Sequence, residues 1–451
     1  MGWREDLRPQ RMLRVALVAP EDELANALAR VSESGSVELD LPVHDPELAG
    51  PDDGPEARAD PNLAELTRVS RAAVRSGDVA GLVAWTPEDE LPALSEALAQ
   101  VGAAAVPVRA PSGLQPPTRL PAGRAARSFD LLVETYTTVP YRDLDPTLVA
   151  GLAYVLMFGM MFGDVGHGAL LLLGAVLVRT GRLPGRAGRS AGLRRSWAFL
   201  AGGGLAAIVF GFLYGELFGP TGVLPVLWLN PLEQPVPMLL TAVGIGAVLI
   251  GGAYALGTAN RVREGGWTYA LYARTGVAGS LLFVALALLV AGLALPADWL
   301  VAASVLLAAL GLTLTFVGLL VEAGGGTAGV VQAVVELFDV VVRLGSNVVS
   351  FARLAAFGLT HAALGAVVWQ ATTALWGPGL AALAATVVFI GGNAVTFTLE
   401  ALVAGIQALR LEYYELFSRV FAEEGRPFRP WRLPPPVPVT SVETGQERGA
   451  R

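Results

Sequence analysis

Cysteine is absent from the 451 residues, which excludes disulfides and thiolate chemistry. Lysine is absent too, so every basic side chain apart from three histidines is an arginine, whose guanidinium keeps its proton under ordinary conditions. Charge of either sign is scarce: 16% of residues are charged and the net charge is −7. Hydrophobic residues make up 53%, and mean hydropathy is +0.53. Several apolar runs exceed the ~18 residues that signal a spanning helix, so the chain reads as a polytopic α-helical membrane protein. Within residues 1–115 the glycines form no GxGxxG or Walker pattern, so no nucleotide loop is expected there. The first residues, MGWREDLRPQ, have no apolar core, and no cleaved signal peptide is expected. The three histidines lie far apart in sequence and show no metal-ligand spacing. No metal, no cofactor and no nucleic acid is expected as a partner.

Residues 1–115 read as a small soluble α/β domain. LRVALVA (13–19), SVELDL (36–41), VAGLVAW (79–85) and AAAVPV (103–108) suggest strands; 21–34, 63–76 and 88–100 suggest helices. This alternation predicts an α/β, ferredoxin-like fold. Residues 43–61 read as a loop, 116–146 as a proline-punctuated linker, 147–432 as the membrane domain, and 433–451 as a proline-rich disordered tail.

The membrane domain opens with 147–179, about 48 Å if one straight helix, against a hydrocarbon core of ~30 Å. GDVGHG (163–168) sits in its middle, and glycines there permit a sharp turn or close helix contact. Further spans are expected at 197–218, 236–259, 271–293 and 299–321, followed by two long helices at 329–373 and 380–424. Loops 180–196 and 260–274 carry arginines, whereas 219–235, 295–298 and 376–379 carry none. This alternation places the arginine-rich loops and both termini in the cytoplasm. Residues 147–179 then start and end on one side, as a hairpin broken at GDVGHG, giving about eight membrane helices in all.

Both long helices carry charge in apolar surroundings. The first holds Asp339, Arg343, Arg353 and His361; the second holds Asn393, Glu400, Gln407 and Arg410. An arginine at bilayer depth costs roughly 2.5–3.5 kcal/mol on insertion scales, and such groups usually mark an ion or substrate path. Pairing Arg353 with a carboxylate of a neighbouring helix would instead make it structural. On an unbroken helix Asp339 and Arg353 fall within about 40° of one another, and His361 about 80° from Arg353. Glu412, Glu415, Glu423 and Glu424 read as a solvated face, and Tyr413 and Tyr414 as an interfacial belt.

FGMMFGDVGHG (158–168), GFLYGELFG (211–219), SFARLAAFGLTHAAL (350–364) and LEALVAGIQALRLEYYELFSRVFAEEGRPFRPW (399–431) together resemble subunit a, also called subunit I, of the V-type and A/V-type rotary ATPases. The resemblance runs from about Val79 to Trp431 with the order kept. It implies an ion-translocating stator subunit without a nucleotide site of its own, set against a rotor ring of small membrane subunits in the lipid bilayer of a prokaryotic cell. By this resemblance Arg353 faces the ring carboxylate, and Arg410 is a second arginine on the last helix. Asp339 lies near the cytoplasmic half-channel, and Glu400, His361 and Asp164 line the other one. Members of the family carry a longer N-terminal arm with a coiled coil. The helices foreseen here reach only about 20 Å each and lack sustained heptads. A peripheral-stalk or other bridging subunit is therefore expected to dock on the N-terminal domain. The alternatives are a secondary transporter, which would usually show internal repeats, a non-conducting scaffold, and a subunit of a reduced, non-standard complex.

Overall fold

The computed structural model describes residues 9–41, 61–111, 114–120, 138–182, 196–295, 297–421 and 425–434. The described residues fall into two compact units, 9–120 with 425–434 and 138–421.

In the first unit, β1 (Met12–Pro20), β2 (Glu38–Leu39), β3 (Val74–Ser76), β4 (Val79–Pro87) and β5 (Ala104–Pro107) form one antiparallel sheet. The strand order is β2-β4-β1-β5, with β3 also pairing β4. Helices α1 (Leu24–Ser34), α2 (Pro61–Arg71) and α3 (Leu91–Ala99) lie between the strands in sequence. Alternate residues of β1 (Val15, Leu17 and Ala19) point into the core, as the two-residue period of a strand requires. There they meet Leu24, Leu28 and Val31 of α1, Val69 of α2, and Leu94 and Leu98 of α3. The helix expected at 63–76 stops at Arg71, because 74–76 zip onto β4 as a strand. The expected loop 43–61 falls almost wholly outside the described residues.

The chain returns to this unit at its far end. The Glu38 carboxylate pairs with Arg426 and accepts the Arg429 backbone N–H at 2.6 Å. Trp431 donates its backbone N–H to Val37 at 2.8 Å and its indole N–H to Glu65 at 3.0 Å. Residues 425–432 thus belong with the sheet, not with the membrane domain as the sequence suggested. Three arginines and a tryptophan in a short, proline-interrupted stretch carry no periodicity that would reveal a docking segment. Residues 435–451 of the expected tail lie outside the described residues.

The second unit is helical. It comprises α4 (Thr147–Met161), α5 (Val165–Thr180), α6 (Trp197–Tyr214), α7 (Pro235–Tyr272), α8 (Val277–Ala294), α9 (Asp298–Glu322), α10 (Gly326–Ser350), α11 (Ala352–Ala374) and α12 (Leu380–Leu411). A π-helical stretch (Glu412–Phe417) and a short α13 (Ser418–Val420) end it. Among the described residues, five helical segments are long and apolar enough to cross a membrane: α6, α7, α8, α9 and the run 380–420. α4 and α5 are apolar but shorter. The break between them falls at GDVGHG, as expected.

α5 and α6 pack at close range because neither carries side chains at the crossing. A Cβ on Gly168 would lie 2.9 Å from the Gly204 carbonyl oxygen, and one on Gly204 equally close to that of Gly168. The helix foreseen at 329–373 is two helices. Phe351 interrupts it with i→i−3 bonding, Phe351 N–H to Val348 at 3.3 Å and Leu354 N–H to Phe351 at 2.9 Å. Its buried ring lies directly on Gly246 of α7. α7 in turn runs past its expected end at 259 and bends at Gly266, whose φ of 77° favours glycine.

Candidate functional site

The α4–α5 break builds the first part of the site. Asp164 caps α5 from extended backbone, accepting the His167 N–H at 2.8 Å on one oxygen. Its other oxygen accepts the Gly219 N–H at 2.7 Å. Such a cap stabilises a helix by about 1 kcal/mol. The segment after α6 is also held by Val165 N–H to the Glu216 carbonyl at 3.0 Å. Phe218 within it has φ 52°, an unfavourable conformation for a bulky residue and one that clusters at functional positions. Its ring covers Gly166, where a Cβ would come within 2.6 Å.

Three histidines far apart in sequence suggested no cluster; the fold brings two of them together. The His167 and His361 rings lie 5.5 Å apart, edge to face. Phe162, Phe218 and Phe397 surround His167 at 5.8, 5.4 and 5.8 Å. His361, on α11, directs Nδ1 at the Glu400 carboxylate of α12. Asp164, His361 and Glu400 are thus brought together from three helices. The nearby Glu216 carboxyl, in the segment after α6, is also buried. Asn393, Glu400 and Gln407 recur every seventh residue, which puts them in one stripe along α12.

Arg353 and Arg410 lie at another level of the same two helices. Arg353 is eight residues before His361, and Arg410 ten after Glu400. At 1.5 Å per residue both are displaced by about 12–15 Å in the same direction, since α11 and α12 run oppositely. Arg353 is half-buried and Arg410 exposed. The charged groups that face Arg353 are Arg410 and Glu415. Asp339 is not brought to this group: it is exposed and pairs with Arg343 at 2.6 Å, one turn along α10. The angular estimate linking it to Arg353 assumed an unbroken helix, and Phe351 breaks it.

The solvated face expected for the glutamates is also corrected. Glu412 is fully buried and Glu415 nearly so, because the π-helical turn rotates them inward. Glu423 and Glu424 lie outside the described residues. Tyr414 is exposed, in keeping with a belt position.

Sequence reading missed a second polar cluster. Arg261, taken for a loop arginine, is buried within α7 and pairs with Glu264 at 2.8 Å and Asp143 at 3.8 Å. It also donates to the Val420 carbonyl at 3.3 Å, beside a bond from Asn260 to the same oxygen. The available signal was YRDLDP, two acids directly before an apolar run. Burial, with Glu264 adding to it, pushes Asp143 up to about 8. Its folded value lies above its unfolded one, so its contribution to stability is full below about pH 4 and lost as pH rises through about 8. The thermal midpoint in detergent is expected to fall by several degrees between pH 6 and 9, and Asp143→Asn to flatten that fall. An equal fall in the variant would contradict this role.

The family of the V-type ATPase 116kDa subunit matches residues 73–223. The A-type ATP synthase subunit I of Pyrococcus horikoshii is 28% identical over 389 residues, covering 82% of this chain and 56% of that protein. The same-named subunit of Aeropyrum pernix is 27% identical over 364 residues, 70% of this chain and 51% of that protein. The human V-type proton ATPase 116 kDa subunit a 3 is 32% identical over 157 residues, 32% of this chain and 19% of that protein. The chain spans about half the length of the archaeal relatives it matches.

Proposed function

From the premise that the chain belongs to the subunit a/I family of the rotary ATPases, we propose that it is the ion-conducting stator subunit of such a complex. The observation that carries this reading is the pair of levels on α11 and α12. One holds two arginines on an accessible side. The other, about 12–15 Å away, holds an enclosed carboxylate–histidine group. A rotor-ring carboxylate in lipid stays neutral, because an unpaired charge there is too costly. Beside Arg353 it ionises, since an opposite charge within ~4–6 Å favours the charged form. It releases its ion on one side and takes another from the opposite one. Arg353 passes no proton itself, so it also separates the two paths. Asp164, His361 and Glu400 line one path; Asp339 belongs to the mouth of the other.

The accessible apolar faces of α10 and α12 fit a ring of small membrane subunits. They include Val331, Val335 and Phe338 on α10, and Val387, Ile390 and Leu402 on α12. The strand order of the sheet unit fits the ferredoxin-like reading, and this unit is the part that would meet a peripheral-stalk or bridging subunit. About eight membrane helices, with both chain ends cytoplasmic, follow from the arginine-rich and bare loops.

Copurification tests the proposal. The native protein should bring with it a small membrane subunit and nucleotide-binding subunits, and the assembly should pump ions into vesicles on adding ATP. Because the chain has no cysteine, single cysteines at Thr221 and Gly181 report orientation cleanly, and an impermeant reagent outside cells should label only the first. A chain that purifies without a ring, or that labels at both sites, would sink the reading.

A further inference from the structure

We propose that Asp164, His167 and His361 form a binding site for a divalent transition-metal ion of the zinc class, with Glu400 as the group that orients His361. All three residues are buried, and one potential ligand atom from each lies within 4.8 Å of the others. No other such group occurs among the described residues.

His167 points most directly to a ligand. It is 1% exposed, and neither of its ring nitrogens has a hydrogen-bond partner. A buried polar group left unpaired is rare, and a missing ion is one of its standard explanations. The Asp164 carboxylate lies 3.7 Å from His167 Nδ1, too far for a hydrogen bond but near enough for both to hold one ion. Asn393 is the polar side chain set against His167, and its amide nitrogen donates to the Phe389 carbonyl at 2.8 Å.

His361 presents the complementary half. With Nδ1 on the Glu400 carboxylate, Nε2 is the nitrogen left to bind a metal. Metal-ligating histidines recurrently show this carboxylate–histidine arrangement, which fixes tautomer and ring orientation. Asp164 uses its two oxygens for one backbone N–H each, which leaves acceptor capacity on both.

Two imidazoles and one carboxylate select the class of ion. Calcium and magnesium take oxygen ligands, and copper(I) prefers sulfur, whereas zinc, cobalt and nickel suit mixed nitrogen and oxygen. Zinc bonds of about 2.0–2.2 Å would draw the three ligand atoms roughly 1 Å closer, within reach of small ring rotations. Asn393 or a water fills a fourth position. The collar of Phe162, Phe218 and Phe397 limits water near the site. Metal and proton compete for the imidazoles, because ligation requires their neutral form. Metal binding rests on this geometry alone; its effect on transport rests on the ion-path reading above.

The test uses the purified native complex in detergent, stripped with EDTA. Cobalt(II) is titrated with visible absorption as readout, and zinc(II) with calorimetry. The expected result is one ion per chain, with the visible bands of a low-coordinate cobalt site. Affinity should fall at least ~10-fold in His167→Gln and His361→Gln, and by about 10–100-fold in Glu400→Gln. If a glutamine variant does not assemble, His167→Asn replaces it. No saturable binding to the wild type, or equal binding in both histidine variants, would overturn the site. Zinc should also slow ATP-driven pumping by the wild type in vesicles. Tight binding without that slowing keeps the metal site and counts instead against the ion path through this cluster.

Discussion

Arg353→Ala should abolish ATP-driven ion pumping while leaving the subunit in the assembled complex. The side chain is half-buried and is not part of the packing that holds α11, which rests on Leu354, Ala355, Gly358 and Ala362. Removing it therefore should not unfold the helix pair. Its charge has little local use: Arg410 repels it, and Glu415 is the acid that faces it. A cation kept in apolar surroundings against a like charge needs an outside partner, and the proposed reading gives that part to a ring carboxylate. Arg353→Lys should be nearly as damaging, since an ammonium can lose its proton and lacks the planar five-donor fork. The measurement is pumping in reconstituted vesicles, with subunit content checked on the same sample. Pumping at wild-type rate in Arg353→Ala would refute the arginine's role, and loss of the subunit would assign it a structural one.

The next largest effect is expected at Glu400. Glu400→Gln keeps shape and hydrogen-bonding capacity but removes charge from a pair with His361 that is almost wholly enclosed. Removing one member of such a pair leaves the other uncompensated. Pumping should fall about tenfold, less than for Arg353→Ala, because water can partly replace a lining group. His361→Gln should have a similar effect, and the double variant should be little worse than either alone, as for residues acting as a unit. Additive losses would mean that the two act separately. Asp339→Asn is expected to slow pumping less, since Asp339 is exposed and satisfied by Arg343.

How much of this was legible beforehand follows from the range of the forces involved. The strands of the sheet unit and the break at GDVGHG are local effects, set by alternation, by an Asp able to cap and by glycines beside it. The break at Phe351 is not local: the flanking residues are ordinary helix formers, and the ring is held by a glycine on α7. The His167–His361 contact joins residues far apart in sequence on helices whose apolar pattern shows no preferred face. The same holds for Asp143 with Arg261, and for Glu412, whose burial depends on a π-helical turn. Arg353, Glu400 and His361 were legible as candidates because charge is costly in an apolar helix. Their division into two levels required the antiparallel pairing of α11 and α12.

The strap formed by 425–434 on the sheet unit constrains everything between them. Glu38 and Trp431 bind partners from distant parts of the chain, so the sheet unit and residues 425–434 lie on the same side of any bilayer that the helices between them cross. The number of crossings is therefore even. The five helical segments that qualify by length and apolarity make an odd number. α4 and α5, as a hairpin, add two crossings or none. Were all five to cross, an even total would need one further crossing, and the proposed reading gives it to α10 and α11 acting as one jointed rod. On that reading the segment carrying Arg353 supplies the crossing that completes the even count.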